Sequence, residues 1–160
     1  MREFSLKSSA VFSDCETYRY ALWRIWDESK PWVAIIGLNP SKADEIKNNP
    51  TINRCISFAK SWGCGGVCLI NLFAFNAPVP VEMRQAKDPV GPDNDKWLAK
   101  IAQTAAMVVA AWGNDGSYLE RSAAVKALIP NLYALKMNKS GEPAHPLYLK
   151  KTLVPMPLCP

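Results

Sequence analysis

Asn39, Asn71 and His145 each follow a strongly apolar stretch of this 160-residue chain, Asn39 and Asn71 directly and His145 after a short loop. An amide carries a donor and an acceptor on one planar head, which suits it to pair with the edge of a heterocyclic base or to hold a water through its oxygen. His145 is the single histidine. Near its ordinary pKa an imidazole donates a hydrogen bond as a neutral ring, without a full charge. Each residue also has a plainer role: Asn before Pro makes a turn, an Asn at a strand end caps it, and a lone His is commonly structural. Whether they act together depends on the elements that carry them.

The runs Trp32–Leu38, Val67–Ile70 and Met107–Ala111 are uniformly apolar and rich in β-branched residues, as strands covered on both faces are. Residues 18–26 read as a half-buried strand and Leu132–Leu135 as a short one. Between them lie helical patterns. Pro50-Thr51 opens one with Ile52, Ile56 and Ala59 on a face and Gly63 as its stop, and Asp93 caps another bearing Trp97, Leu98, Ile101 and Ala105. A third, from Tyr118 to Leu128, turns Leu119, Ala123 and Leu128 inward and stops at Pro130. The alternation predicts an α/β fold, a three-layer α/β/α sandwich around a mainly parallel sheet, in one domain spanning 1–160. Ligand sites in such sheets lie beyond the carboxyl ends of the strands. That rule gathers Asn39, Asn71, the Trp112-Gly113-Asn114 turn and His145 at one edge.

With 49% apolar residues and six tryptophans the chain has ample material for one core. The start lacks the apolar run of a signal peptide, and no stretch approaches the roughly 20 apolar residues of a membrane span. A cytoplasmic protein with no membrane association is expected. Five cysteines, at 15, 55, 64, 68 and 159, argue against a disulfide framework. Cys64-x3-Cys68 with Cys55 nearby invites a metal or iron–sulfur site. Against it, Cys68 falls inside an apolar run and no second C-x2-C pair exists, so reduced thiols with neither metal nor cofactor are expected. From Lys126 onward five lysines face one acid, Glu142, which places +4 of the net +5 in the tail. The excess reads as a phosphate-facing patch or as a solvated lysine surface.

The segments G-L-N-P-S ending at 41, G-V-C-L-I-N ending at 71, V-A-A-W-G ending at 113 and H-P-L-Y-L at 145–149 occur in this order. Together they resemble the uracil-DNA glycosylase superfamily, whose corresponding motifs take forms such as G-I-N-P-G, G-V-L-L-L-N, a strand ending in W-G, and H-P-S-P-L. The chain is more similar still to an uncharacterised bacterial and phage family, domain of unknown function 1643. The residues that carry this are N-P-S-x-A-D at 39–44, P-T-I-N-R at 50–54, N-L-F at 71–73, D-P-V-G-P-D-N-D at 88–95, A-W-G at 111–113 and H-P-L-Y-L at 145–149.

The glycosylase resemblance implies a uracil-DNA-glycosylase-like fold and a monofunctional N-glycosyl hydrolase acting on, or recognising, a pyrimidine in DNA. Breaking a glycosidic bond separates charge, so the site must stabilise a departing base anion and place a water at the sugar carbon. By resemblance Asn39 positions that water, His145 donates to the anionic base oxygen and Asn71 reads the base edge. Ser41 replaces a bulky Tyr and leaves room for a C5 substituent. Phe73, Phe75 and Trp62 are candidates for stacking on the base, with Phe73 placed beside Asn71 and Ser41 in the base pocket. Leu149 falls where the glycosylases carry an apolar wedge, or is an ordinary core leucine. Lys150 and Lys151 would lie beside DNA phosphates, and Arg54 reaches a phosphate or forms a surface ion pair. Asn39 stands where the most efficient uracil-removing enzymes have Asp, and an amide cannot take a proton from water. The alternatives are an enzyme on a free nucleotide or nucleoside, and a catalytically silent binding module for nucleic acid or protein.

Overall fold

The computed structural model describes residues 7–40, 48–77 and 80–158. Its strands are β1 (Lys7–Phe12), β2 (Arg19–Ile25), β3 (Trp32–Gly37), β4 (Gly66–Asn71), β5 (Val108–Ala110), β6 (Leu132–Ala134) and β7 (Met156–Pro157). They form one sheet in the order β1-β2-β4-β3-β5-β6-β7. Its helices are α1 (Pro50–Ser61), α2 (Pro80–Gln85), α3 (Asn94–Thr104) and α4 (Arg121–Leu128).

The fold is mixed α/β, and the expectation of a mainly parallel sheet is corrected. β3 pairs in parallel with β4 and β5, and β5 with β6. The β1–β2, β2–β4 and β6–β7 pairings are antiparallel, so half the ladder runs the other way. The sequence pattern marked the buried parallel strands by their continuous apolar character. β1 is only partly buried and β7 is two exposed residues, so neither carries that signal.

Strand alternation sorts the core into two halves. Ala34, Ile36, Cys68, Ile70, Val108 and Ala110 face one side, where Met83 of α2, Leu98 and Ile101 of α3 and Val125 of α4 pack on them. Val33, Ile35, Val67, Leu69 and Val109 face the other, under Ile52, Cys55, Phe58 and Ala59 of α1. Each fully buried large apolar side chain contributes about 1.5–3 kcal/mol. Asn49 caps α1 by accepting from the Ile52 N–H at 2.8 Å, and Pro50 supplies a first residue that needs no intrahelical donor. Asp93, expected as the cap of α3, makes no side-chain capping bond.

The third helix also departs from the sequence pattern. A 3₁₀ segment, Asn114–Glu120, precedes α4, and Leu119 and Glu120 both adopt left-handed backbone, at φ 52° and 55°. This kink resets the helical phase, so Leu119, Ala123 and Leu128 are exposed while Arg121, Ser122, Val125 and Ile129 turn inward. Such conformations cost about 1–3 kcal/mol each and persist where surrounding contacts dictate them. Here the rotation delivers Arg121 to the carbonyl of Leu72, which accepts from Nε at 3.0 Å, while its Nη2 donates to Asp95 at 2.8 Å.

Asn94 completes that anchor. Its Nδ2 donates at 3.0 Å to the carbonyls of both Asn71 and Leu72, and the residue is fully buried. Replacing Asn94 with Ala removes the amide donors from two buried acceptors at once. A destabilisation of about 1–3 kcal/mol is expected in chemical denaturation; an unchanged midpoint would mean that Arg121 and solvent satisfy these carbonyls unaided.

Candidate functional site

The carboxyl ends of β3, β4 and β5 open onto a cavity of about 570 Å³. That lies within the range of roughly 300–1,000 Å³ typical of small-molecule sites. Gly37, Leu38 and Asn39 leave β3 along its wall, Asn71 ends β4, and Trp112 to Asp115 follow β5. His145 and Leu147 come from the last loop, Asn49, Thr51 and Ile52 from the start of α1, and Arg19 from the start of β2. A second groove, of about 590 Å³, lies between α3, β6 and β7 and carries no acid, amine or imidazole.

Asn71 is the most constrained of these groups. Its backbone is held by Asn94 and its side chain is 6% exposed. Gly37 lies beside it in the parallel ladder, and a Cβ there would come within 2.9 Å of Asn71 Oδ1. The amide thus rests on a backbone with no side chain, and among the described residues no hydrogen bond engages either of its polar atoms. Its polar atoms open onto the cavity, where a water or a ligand edge can bond them.

Asn39 is oriented differently. Its Nδ2 donates to the carbonyls of Pro40 and Ala77, both at 3.1 Å, and this leaves Oδ1 as the atom able to accept from water or ligand. His145 Nδ1 accepts from the Leu147 N–H at 3.2 Å, so in the neutral ring the proton sits on Nε2. Surrounding protein desolvates the imidazole and pushes its pKa below the ordinary 6.5, favouring that neutral donor form. Gly113 brings the chain past this ring: its φ of 79° is in the left-handed region and its N–H donates to Pro143 at 2.9 Å. Trp112 is fixed by Glu142, whose carboxylate accepts from the indole Nε1 at 2.8 Å and from the Ser122 hydroxyl at 3.0 Å.

The cavity therefore brings together Asn39, Asn71, His145 and the Trp112-Gly113-Asn114 turn. Other expected site residues lie elsewhere. Phe73 is fully buried in the core beside α2 and α3, with its ring 5.6 Å from that of Tyr118, and does not line the cavity. Phe75 packs on the same half of the core and Trp62 stacks on Phe58 in the other. Leu149 packs against the core under α1, while its neighbour Tyr148 is 98% exposed with φ 70°. Arg54, on the second turn of α1, donates to the Leu149 carbonyl and stacks over Phe58, so it braces this loop. Lys150 and Lys151 are exposed. Ser41 and Asp44 lie outside the described residues.

Among the described residues the thiols do not gather into a metal centre. Cys55 and Cys68 are buried in opposite halves of the core, and burial pushes the Cys55 thiol up to about 12 and that of Cys68 higher still. Among the described residues no three His, Cys, Asp or Glu side chains form a group able to hold a metal ion.

Sequence reasoning missed Arg19, Asn49 and Asp115 in the cavity wall. The signal for Arg19 was a charge inside Tyr-Arg-Tyr-Ala-Leu, a run otherwise headed for the core. Asp115 pairs with Arg84 at 3.0 Å.

The displaced pKa of His145 has a measurable consequence. The unfolded chain takes up the proton near 6.5, whereas the folded protein resists until lower pH. The stability contribution of neutral His145 is thus complete above the unfolded value and declines as pH falls through and below it. An NMR titration of this single histidine should give a folded-state pKa below 6.5. A value at or above 6.5 would remove the neutral-donor assignment.

No curated protein and no solved structure matches the chain. Residues 19–147 match the family described as Protein of unknown function (DUF1643), and the chain belongs to that family.

Proposed function

We propose that the cavity binds a pyrimidine base and that the protein is a DNA glycosylase-like hydrolase, cleaving or recognising that base in DNA. The observation that carries this reading is the Asn71 amide: buried, positioned by its backbone, without a protein partner among the described residues, and lining a cavity large enough for a base. A planar donor–acceptor pair in that state discriminates base edges strongly, because a wrong edge leaves it unsatisfied. The order of motifs resembling uracil-DNA glycosylases supports the same reading, as do helices packed on both faces of the sheet, the layering of a three-layer sandwich.

The chemistry follows from the polar atoms left available. Hydrolysis needs a water at the sugar carbon and a donor for the negative charge that develops on the leaving base. Asn39 Oδ1 accepts from the water and orients it without removing its proton; the proton leaves to solvent after the glycosidic bond has largely broken. His145 Nε2–H donates to the base oxygen as charge accumulates there. A base in a duplex must first be turned out into the cavity. Because Asn39 lacks the basicity of a carboxylate, the reading favours a modified or mispaired pyrimidine with a better leaving group over ordinary uracil.

Oligonucleotides bearing uracil, mispaired thymine or C5-substituted pyrimidines, incubated with the protein and then treated with alkali, test this directly. Strand scission is expected at one class of base, falling by about 10²–10³-fold in Asn39→Ala and His145→Ala. Gly37→Ala, which displaces the Asn71 amide, should weaken base binding. No scission with any substrate, combined with no binding of any of them, would overturn the proposal.

A further inference from the structure

A third amide, Asn114, lines the cavity with Asn39 and Asn71, and the chemistry proposed above leaves it unused. It belongs to the turn after β5, which is bonded residue by residue to the segment leading into His145. The Trp112 indole donates to the Glu142 carboxylate at 2.8 Å, and the Gly113 N–H donates to the Pro143 carbonyl at 2.9 Å. Asn114 Oδ1 accepts from Asn138 Nδ2 at 2.9 Å and from the Ser140 hydroxyl at 2.6 Å. The turn and the histidine loop are therefore held as one unit.

These bonds fix which end of the Asn114 amide is available. Ser140 Oγ accepts the Glu142 N–H at 3.2 Å and gives its own hydrogen to Asn114 Oδ1, which also takes the Asn138 donor. Among the described residues no hydrogen bond engages Asn114 Nδ2, so a donor is what this residue brings to the cavity wall. Asn39 is its converse, with Nδ2 taken by the carbonyls of Pro40 and Ala77 and Oδ1 left to accept. The wall thus carries one set acceptor, one set donor and, in Asn71, an amide with both atoms available.

The sheet puts the three in order. β4, β3 and β5 are neighbours, and Asn71, Asn39 and Asn114 lie at or shortly past their carboxyl ends. Adjacent strands are about 4.8 Å apart, so the ends of β4 and β5 are separated by roughly 10 Å. One six-membered ring does not bridge that distance, whereas a ring with a sugar attached does.

We infer that Asn114 reads the sugar of the ligand: its Nδ2 donates to a sugar oxygen, and the cavity takes a whole nucleoside unit, base toward Asn71 and sugar toward Asn114. This rests on the base-binding reading and extends it. The placement agrees with the neighbours. Asn39, between the two, holds its water at the carbon that joins base to sugar, and His145, in the same unit as Asn114, serves the base oxygen beside that bond. A sugar oxygen accepts from an amide N–H whether the nucleoside is free or turned out of DNA.

Calorimetric titration of the full chain tests the inference with uracil, thymine, 5-hydroxymethyluracil, their deoxynucleosides and short single-stranded oligonucleotides containing each base. At least one deoxynucleoside should bind about ten-fold or more tightly than its free base. Asn114→Asp keeps the oxygen that Asn138 and Ser140 bond and replaces the donor with an acceptor. In that variant the preference should fall toward one, with free-base affinity and melting temperature retained. Ser140→Ala leaves Asn114 in place but releases one of its two locks, so the preference should fall by a smaller factor. Parallel weakening of the oligonucleotide by Asn114→Asp would assign the sugar to a DNA strand; weakening of the nucleoside alone would assign it to a free nucleoside. Equal binding of base and nucleoside, or a preference that survives Asn114→Asp, would overturn the sugar contact and leave the base pocket standing. No binding by any of these ligands would overturn both.

Discussion

The chain leaves the centre of the sheet at Asn71–Leu72, and the two carbonyls there are satisfied by side chains of distant helices. Asn94 at the start of α3 donates to both, and Arg121 at the start of α4 donates to the second. Buried backbone acceptors must find donors, so this exit from the sheet and the placement of two helices are one constraint. Backbone donors complete it, from Leu72 to Gly37 and from Phe73 to Leu38. The consequence for function is indirect but decisive. With its backbone fixed on one side and Gly37 beneath it, the Asn71 side chain has little freedom except toward the cavity.

Other parts of the wall are held by similar means. The Glu142 carboxylate ties Trp112 to Ser122 across the turn after β5, and that turn passes the His145 loop. Arg54 and the packing of Leu149 brace the far end of the same loop. The polar groups facing the cavity thus come from segments that are each tied to a helix or to the sheet. A site assembled on rigid elements keeps its geometry without the ligand and spends little binding energy on ordering.

Much of this was legible in the sequence because it follows from burial. β3, β4 and β5 announce themselves by unbroken apolar runs, α1 by an Asn-Pro start and a helical stripe ending before Gly63, and the site by polar residues at strand ends. What was illegible depends on tertiary context. The antiparallel edges lack a burial pattern, and the phase of α4 is set by two left-handed residues whose types, Leu119 and Glu120, give no hint of it. The register shift in β1–β2 that leaves Tyr20 without a partner residue shows only in strand pairing. Phe73, one of three candidates for stacking on a base, turns its side chain into the core beside α2 and α3. Of the two readings of Leu149, wedge or core leucine, its packing under α1 agrees with the second, and its neighbour Tyr148 is the exposed residue.

The central claim is that the Asn71 amide contacts a nucleobase, and the side-chain amide signals of the protein report on it directly. On adding a pyrimidine nucleotide, the ¹⁵N and ¹H shifts of the Asn71 side-chain NH₂ and of His145 should move together and saturate at one ligand concentration, assigned through loss of the amide signal in Asn71→Asp. If the nucleotide binds while both signals stay fixed, the base is not held at Asn71 and the cavity serves some other ligand.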